Sequence, residues 1–314
     1  MIDLSQMTVV VTGGSGFLGR NIITELFRHG CENVYSPRSR DCDLRIPYNV
    51  RRLVNYELPD IIIHAAAQAG GIGLNSDKPG ELFYNNAIMG IQLMEQARLA
   101  GVKKYVQIGT VCEYPKFTPV PFREEDLWGG YPEETNAPYG LSKKMLLVQG
   151  QAYRKQYGFN VINLMPVNMY GPGDHFDLNT SHVIPALIRK ISEAKMLNQP
   201  VIIWGDGSAS REFLYVEDCA EAIVLATERY DGAEPVNIGV GSEITIKNLV
   251  RLIADLIGFT GTIIYDVLKP NGQPRRCLDT TRAFEKFGFK AKTTLEEGLI
   301  KTIKWYQETH DLVR

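Results

Sequence analysis

Residues Thr8–Arg20 read TVVVTGGSGFLGR, a β-branched run that ends in spaced glycines and opens into a pattern of helical period. The run suits a buried strand, and the stretch from Phe17 onward suits a helix lying on it. Gly13, Gly16 and Gly19 divide the work of a phosphate loop. The first permits the tight turn, the second lets backbone approach a pyrophosphate, and the third allows close helix–strand packing. The N–H groups left free at the helix start favour phosphate. A glycine triplet alone is a weak signal, but on the first strand–helix junction it predicts a dinucleotide fold.

The alternation continues outward. NVYSP, DIIIHAAA, KYVQIG and NVINLMP read as further strands, separated by helical patterns near Tyr48–Tyr56, Leu82–Ala100 and Tyr139–Tyr157. Apolar strands alternating with helices predict an α/β protein built on a doubly wound, Rossmann-type parallel sheet. Beyond Pro166 the loops become rich in Gly, Pro, Asp and Asn, with helices expected at about His182–Ala194, Val216–Arg229, Ile246–Ile257 and Leu295–Thr309. This half reads as a smaller α/β substrate-binding lobe. The expected division is residues 1–165 for the dinucleotide and 166–314 for the substrate, with segments near 211–239 returning to the first sheet.

Whole-chain properties exclude several classes. The 314 residues carry 34 basic and 36 acidic side chains, a formal charge of −2, without the basic excess of a nucleic-acid binder. No apolar run approaches the roughly 18 residues of a membrane span, and MIDLSQMTVVVTGG does not read as a signal peptide. Five cysteines (Cys31, Cys42, Cys112, Cys219, Cys277), odd in number and without CxxC pairing, suggest neither a disulfide framework nor a metal site. The expected location is the cytoplasm.

The second strand runs into SPRSRDCDL, where the first charges met are Arg38 and Arg40. An acid in that region would suit the ribose hydroxyl of NAD, whereas guanidinium groups suit a 2′-phosphate. The cofactor expected is therefore NADP(H), with Arg38 as its main argument; Asp43 and Leu44 are read as lying beside the adenine. Further on, Tyr139 and Lys143 form YGLSK. An i,i+4 pair shares one helix face, and an ammonium beside a phenol is expected to lower the phenol's pKa towards a range useful for acid–base work. Such a pair is frequent by chance and counts here because it follows a glycine-loop fold and a strand ending near Thr110. His64, in HAAA at a strand end, is read as structural, and His175 receives no role.

These motifs carry a resemblance. TGGSGFLG, Asn86 in NNAIMG, Thr110 and YGLSK are similar to the extended short-chain dehydrogenase/reductases. Within them the chain resembles the GDP-L-fucose synthase family, the GDP-4-keto-6-deoxy-D-mannose 3,5-epimerase-4-reductases. The stretches that carry this are HAAAQAGGI, GTVCEYPK, APYGLSK, MPVNMYGPGDHFD, NTSHVIPALIRK, WGDGSASREFLYVEDCAEA and KPNGQPRRCLD.

The resemblance implies a catalytic set of Thr110, Tyr139 and Lys143, with Cys112 and His182 as a proton-transfer pair. It implies cofactor contacts at Phe17, Leu18, Ala65, Ala66 and Asn168. Lys190, Trp204, Arg211 and Lys269 fall where the family meets its GDP-sugar, and Asn168 lies where the family meets substrate as well. Thr110 replaces the family's common serine with the hydroxyl kept, and Ser15 stands where some members have arginine.

The implied chemistry is coherent. A 4-keto group acidifies the protons on C3 and C5, and inversion needs acid–base groups on opposite faces, which thiol and imidazole can supply in either assignment. Gln68 and Glu113 are read as loop positions able to alter sugar choice. The competing expectations are a related enzyme acting on another GDP-linked 4-keto sugar, such as a modified heptose, a 4-epimerase that retains NAD, and a catalytically idle sensor. Surplus apolar positions on the Leu82–Ala100 and Tyr139–Tyr157 helices predict a homodimer.

Overall fold

In the computed structural model, which describes residues 1–178, 180–269 and 272–310, β1 (Thr8–Thr12) ends at Gly13 and α1 (Phe17–Arg28) leads away from it. Val9 and Val11 enter one hydrophobic core and Val10 enters another, on the opposite face of the sheet. That is why the strand is apolar throughout rather than alternating. Each of these fully buried valines contributes on the order of 2 kcal/mol of apolar burial.

The first half continues through β2 (Asn33–Tyr35), α2 (Pro47–Glu57), β3 (Ile61–His64), α3 (Ile72–Asp77) and α4 (Pro79–Leu99). β4 (Lys104–Ile108), α5 (Ala137–Tyr157) and β5 (Val161–Pro166) follow. The second half holds β6 (Asn168–Tyr170), α6 (Val183–Leu197), β7 (Val201–Trp204), β8 (Ser210–Arg211), β9 (Phe213–Tyr215), α7 (Val216–Arg229) and β10 (Val236–Ile238). The described chain ends with β11 (Ile244–Thr245), α8 (Ile246–Ile257), β12 (Ile263–Asp266), α9 (Thr281–Phe287) and α10 (Leu295–Thr309).

Six strands form one parallel sheet in the order β10-β5-β4-β3-β1-β2. The order reverses between β1 and β3, and the crevice beyond their carboxyl ends is where such sheets bind ligands. α1 and α7 cover one face, and α2, α4 and α5 cover the other. From the segment near 211–239, β10 pairs with β5, and α7 lies against α1. Lys104 secures this arrangement. Fully buried, it donates to the carbonyls of Thr227 and Tyr230, both at 2.6 Å, at the C-terminal end of α7.

A second core gathers α6, α8 and α10 around Tyr170, Phe213 and Tyr215. Its strands pair only in twos, β6 with β9, β7 with β12, and β8 with β11. These two- to four-residue pairs, like α3 and α9, are too short for sequence periodicity to reveal. Among the described residues no helix is long and apolar enough to cross a membrane.

Candidate active site

The sheet crevice opens into one continuous cavity of about 1500 Å³. That exceeds the several hundred Å³ of an ordinary single-ligand pocket and leaves room for two ligands end to end. Gly13, Gly16, Phe17 and Leu18 line its floor. Gly13 has φ of +73°, and a Cβ there would lie 2.7 Å from the Ala66 nitrogen. Only glycine lets β1 and β3 meet this closely. A Cβ on Gly19 would collide with the Gly13 carbonyl, so the helix start is pressed onto the turn. No side chain caps α1 at Gly16, which leaves its first N–H groups open to an anion.

Asp43, Leu44, Ala65, Ala66 and Asn168 also face the cavity. Arg45 grips the Asp43 carboxylate in two parallel hydrogen bonds of 3.0 and 2.7 Å and holds it below the usual carboxylate range. The Arg38 carbonyl accepts from Asp41 and Cys42, both at 2.9 Å, so the chain turns here, and Arg38 is not among the residues that line the cavity. Arg40 lines the cavity instead. The cradle fits a dinucleotide with a 2′-phosphate: bare glycine backbone, an uncapped helix start and the guanidiniums of Arg40 and Arg45, the second tied to Asp43.

Thr110, Cys112, Tyr139, Lys143 and His182 all line this cavity. β4 ends at Ile108, and Thr110 caps a short turn over Val111–Glu113, its hydroxyl accepting the Cys112 N–H at 3.2 Å. α5 presses on that turn, since a Cβ on Gly140 would overlap the Cys112 carbonyl. Tyr139, beside Gly140, is thereby brought to Thr110. One helical turn on, Lys143 is buried and donates to the Ile108 carbonyl at 3.1 Å.

The electrostatics differ from expectation. Burial pushes the Tyr139 phenol well above its ordinary range, with Cys112 and Glu113 adding to the shift and hydrogen bonding to Thr110 opposing it. Lys143 does not lower it. Burial acts on Lys143 too, bringing the ammonium down to about 8. At neutral pH the pair is a phenol and an ammonium, both holding protons.

His182 stands at the N-cap of α6, but its side chain makes no capping bond and opens onto the cavity. His182 is exposed to the open cavity, yet the protein around its imidazole holds it below the usual histidine range by desolvation, with Arg276 and His175 contributing. Arg276 is a residue that sequence reasoning passed over. Buried on the cavity wall, it points Nη1 at the Cys112 sulfur from 3.8 Å. The Gln273 side chain holds its Nε and Nη2 at 3.2 and 3.0 Å. The signal available in the sequence was its place within KPNGQPRRCLD.

Lys190, Trp204 and Arg211 line the far end of the cavity. Lys269 lies outside that lining, with its ammonium 5.2 Å from the Trp204 ring; Lys190 reaches the same ring at 5.7 Å. Desolvation, with Arg276 next in weight, lowers Arg211 to about 10. Glu212 brings these two arginines together. It is fully buried and accepts the backbone N–H groups of Leu278 at 2.6 Å and Gly241 at 2.8 Å.

Of the two positions expected to tune sugar choice, Gln68 lines the cavity, held by Asn86 Oδ1 at 2.9 Å from its backbone nitrogen. Glu113 does not line it; it is buried behind Thr110. His64 is buried, with Nδ1 2.8 Å from the Thr12 hydroxyl, and His175 borders the cavity 2.6 Å from the Thr180 hydroxyl. Cys31, Cys42, Cys219 and Cys277 are buried, whereas Cys112 is partly exposed. Among the described residues no cluster of His, Cys, Asp or Glu is arranged for a metal.

Comparison with known proteins agrees with this architecture. The model of the NAD dependent epimerase/dehydratase family matches residues 9–239. The chain is 42% identical to the GDP-L-fucose synthase of Sinorhizobium fredii, covering 96% of each protein. It is 41% identical to the probable GDP-L-fucose synthase 1 of Oryza sativa subsp. japonica, covering 96% of this chain and 92% of the relative. A solved GDP-L-fucose synthetase from Naegleria fowleri, bound to NADP, superposes with a TM-score of 0.87 at 25% identity, over 96% of this chain and 94% of that one. With a glycine cradle, a Tyr/Lys pair and a Cys and a His lining one cleft, this chain belongs to the NAD dependent epimerase/dehydratase family, in the branch that holds the GDP-L-fucose synthases.

Proposed function

We propose that the protein converts GDP-4-keto-6-deoxy-D-mannose to GDP-L-fucose, by epimerisation at C3 and C5 followed by NADPH-dependent reduction at C4. One observation carries this reading: Cys112 and His182 open onto the same cavity as Tyr139, Lys143 and the glycine cradle. A simple reductase needs the phenol and the cradle. The added thiol and imidazole are what inversion next to a ketone requires.

The sheet half, residues 1–165 with the returning 211–239, holds the dinucleotide through Gly13, Gly16, Phe17, Leu18, Gly19, Ala65, Ala66 and Arg40. Bound NADPH supplies hydride to C4. The half formed by 166–314 holds the GDP-sugar. Arg211 and Arg276, two guanidiniums set side by side and mutually unfavourable, suit a diphosphate between them. Lys190, Lys269 and Trp204 suit the remainder of the nucleotide. Thr110 and Tyr139 donate to the 4-keto oxygen, stabilising the enolate. Cys112 takes a proton from the carbon beside the ketone, and His182 works at the opposite face. Tyr139, kept protonated by burial, then delivers its proton to the C4 oxygen, with Lys143 supporting the charge that develops.

The experiment is product analysis after incubation with GDP-4-keto-6-deoxy-D-mannose and NADPH in deuterated water. GDP-L-fucose carrying deuterium at C3 and C5, with one NADPH consumed per product, is expected. Reduction at C4 without exchange would remove the epimerase half, and conversion of only a heptose-linked substrate would favour the related reductases.

We further propose a cytosolic homodimer joined through α4 and α5. These helices lie together and expose Tyr84, Ile91, Val148 and Tyr157. Light scattering is expected to give twice the chain mass of 35.2 kDa; a single-chain mass would refute the pairing.

A further inference from the structure

We infer that Glu113 is a positioning residue for the reducing pair, its carboxylate serving as the buried counter-charge of the Lys143 ammonium. The inference rests on the reading of Tyr139 and Lys143 as that pair, and the geometry carries it further.

Glu113 is 1% exposed, inside the turn that presents Thr110 and Cys112. Its Oε1 accepts the Thr110 N–H at 2.8 Å and lies so close to Gly109 that a Cβ there would collide with it. Lys143 Nζ donates to the carbonyl of Ile108 at 3.1 Å. Carboxyl and ammonium are therefore anchored on the two successive peptide units that flank Gly109, one on the Thr110 N–H and the other on the Ile108 carbonyl. Glu113 Oε2 is buried with no hydrogen-bond partner among the described residues. A buried carboxyl left half satisfied is costly for a fold to retain. An apolar side chain would close the same turn without that cost.

The surrounding charges are few. From its own turn Glu113 meets Thr110, Cys112 and Tyr114, and from α5 it meets Tyr139, Lys143 and Lys144. Lys144 donates to the Leu127 carbonyl and, at 3.4 Å, to the Glu113 carbonyl, with its ammonium 4.8 Å from the Trp128 ring, and its charge favours the Glu113 carboxylate after that of Lys143. β5 contributes only backbone and the Met165 side chain near Gly109. Burial pushes the Glu113 carboxyl up to about 7. The same burial pulls Lys143 down to about 8, and the Glu113 charge opposes that fall.

The sign follows. Above pH 7 Glu113 is ionised and favours the protonated lysine, which extends the range over which Lys143 supports proton delivery by Tyr139. Glu113→Gln keeps the acceptor for the Thr110 N–H and removes only the charge. Lys143 should then lose its proton at lower pH.

Two measurements test this. Ketone reduction is followed from about pH 6 to pH 9 in the parent and in Glu113→Gln, and the alkaline limb of the variant should move down by about half a pH unit or more. The cofactor-free proteins are also titrated by infrared spectroscopy. The parent should show protonated-carboxyl absorption that disappears near pH 7, of which Glu113→Gln loses the Glu113 share and keeps the part due to Asp174, which burial also raises to about 7. Superimposable rate profiles, or a parent without the band, would overturn the inference. Should the variant not fold, the band is read in Asp174→Asn, where the absorption that remains below pH 7 decides whether the Glu113 carboxyl holds its proton as required. A parent that shows the band but does not oxidise NADPH with the keto-sugar would instead defeat the reading of the reducing pair.

Discussion

Arg276 Nη1 lies 3.8 Å from the sulfur of Cys112, with the guanidinium fixed from behind by Gln273. The two residues are far apart in the chain and touch because Glu212 ties the backbone at Leu278 to the Arg211 strand. When Cys112 gives up a proton, this guanidinium is in place to stabilise the negative charge.

Replacing Arg276 with Gln should therefore slow deuterium uptake at C3 and C5 by roughly tenfold or more, the worth of one hydrogen bond to a charged group. NADPH binding, measured by fluorescence, should change little, because Arg276 stands away from the glycine cradle. Equal loss of exchange and of cofactor binding would point to collapse of the cleft instead.

Arg40 and Arg38 make a clean comparison. Arg40 lines the cavity and Arg38 does not. Arg40→Ala should weaken NADPH by about tenfold and leave NADH nearly unchanged, since only the 2′-phosphate contact is lost. Arg38→Ala should be close to neutral. The reverse ranking, from parallel titrations with the two cofactors, would restore the expectation drawn from the sequence.

Asp174 borders the cavity with one oxygen accepting the His175 N–H at 2.7 Å and the other without a partner among the described residues. Burial raises its carboxyl to about 7. The fold thus favours the protonated form: the stabilising contribution is complete below the unfolded carboxylate range and is lost as pH rises through about 7. Asp174→Asn should raise the Tm by a degree or two, as an order of magnitude, at pH 8, with little effect near pH 4. An equal shift at both pH values would contradict this.

Gly13→Ala introduces a Cβ against the Ala65–Ala66 backbone at a positive φ. Backbone cannot move aside as a flexible side chain can. The substitution should cost about 1–3 kcal/mol in denaturant unfolding and abolish measurable NADPH binding. Parent-like binding would show that the β1–β3 junction is looser than its geometry implies.

The predictable parts of the structure share one property, that the physics deciding them is local. Val9–Val11 must be buried on both faces, Gly13 must turn, and Tyr139 and Lys143 must share a helix face, whatever surrounds them. Helices α7, α8 and α10 begin and end where their apolar periods do. The short pairs β7–β12 and β6–β9 lack that local signal because their stability comes from partners distant in the chain.

By itself the sequence determined the doubly wound sheet and the phosphate loop, because spacing along strand and helix specifies which side chains stand together. Tertiary structure alone decided the charge states and the neighbours. It raised the Tyr139 phenol where pairing with Lys143 predicted a lowering, placed Arg40 and Arg45 on the cavity wall, set Arg276 against Cys112 and buried Glu113 behind Thr110. The physical reason is that desolvation and Coulomb interaction depend on distances through space and on water excluded by remote segments. Neither quantity is written in the local order of residues.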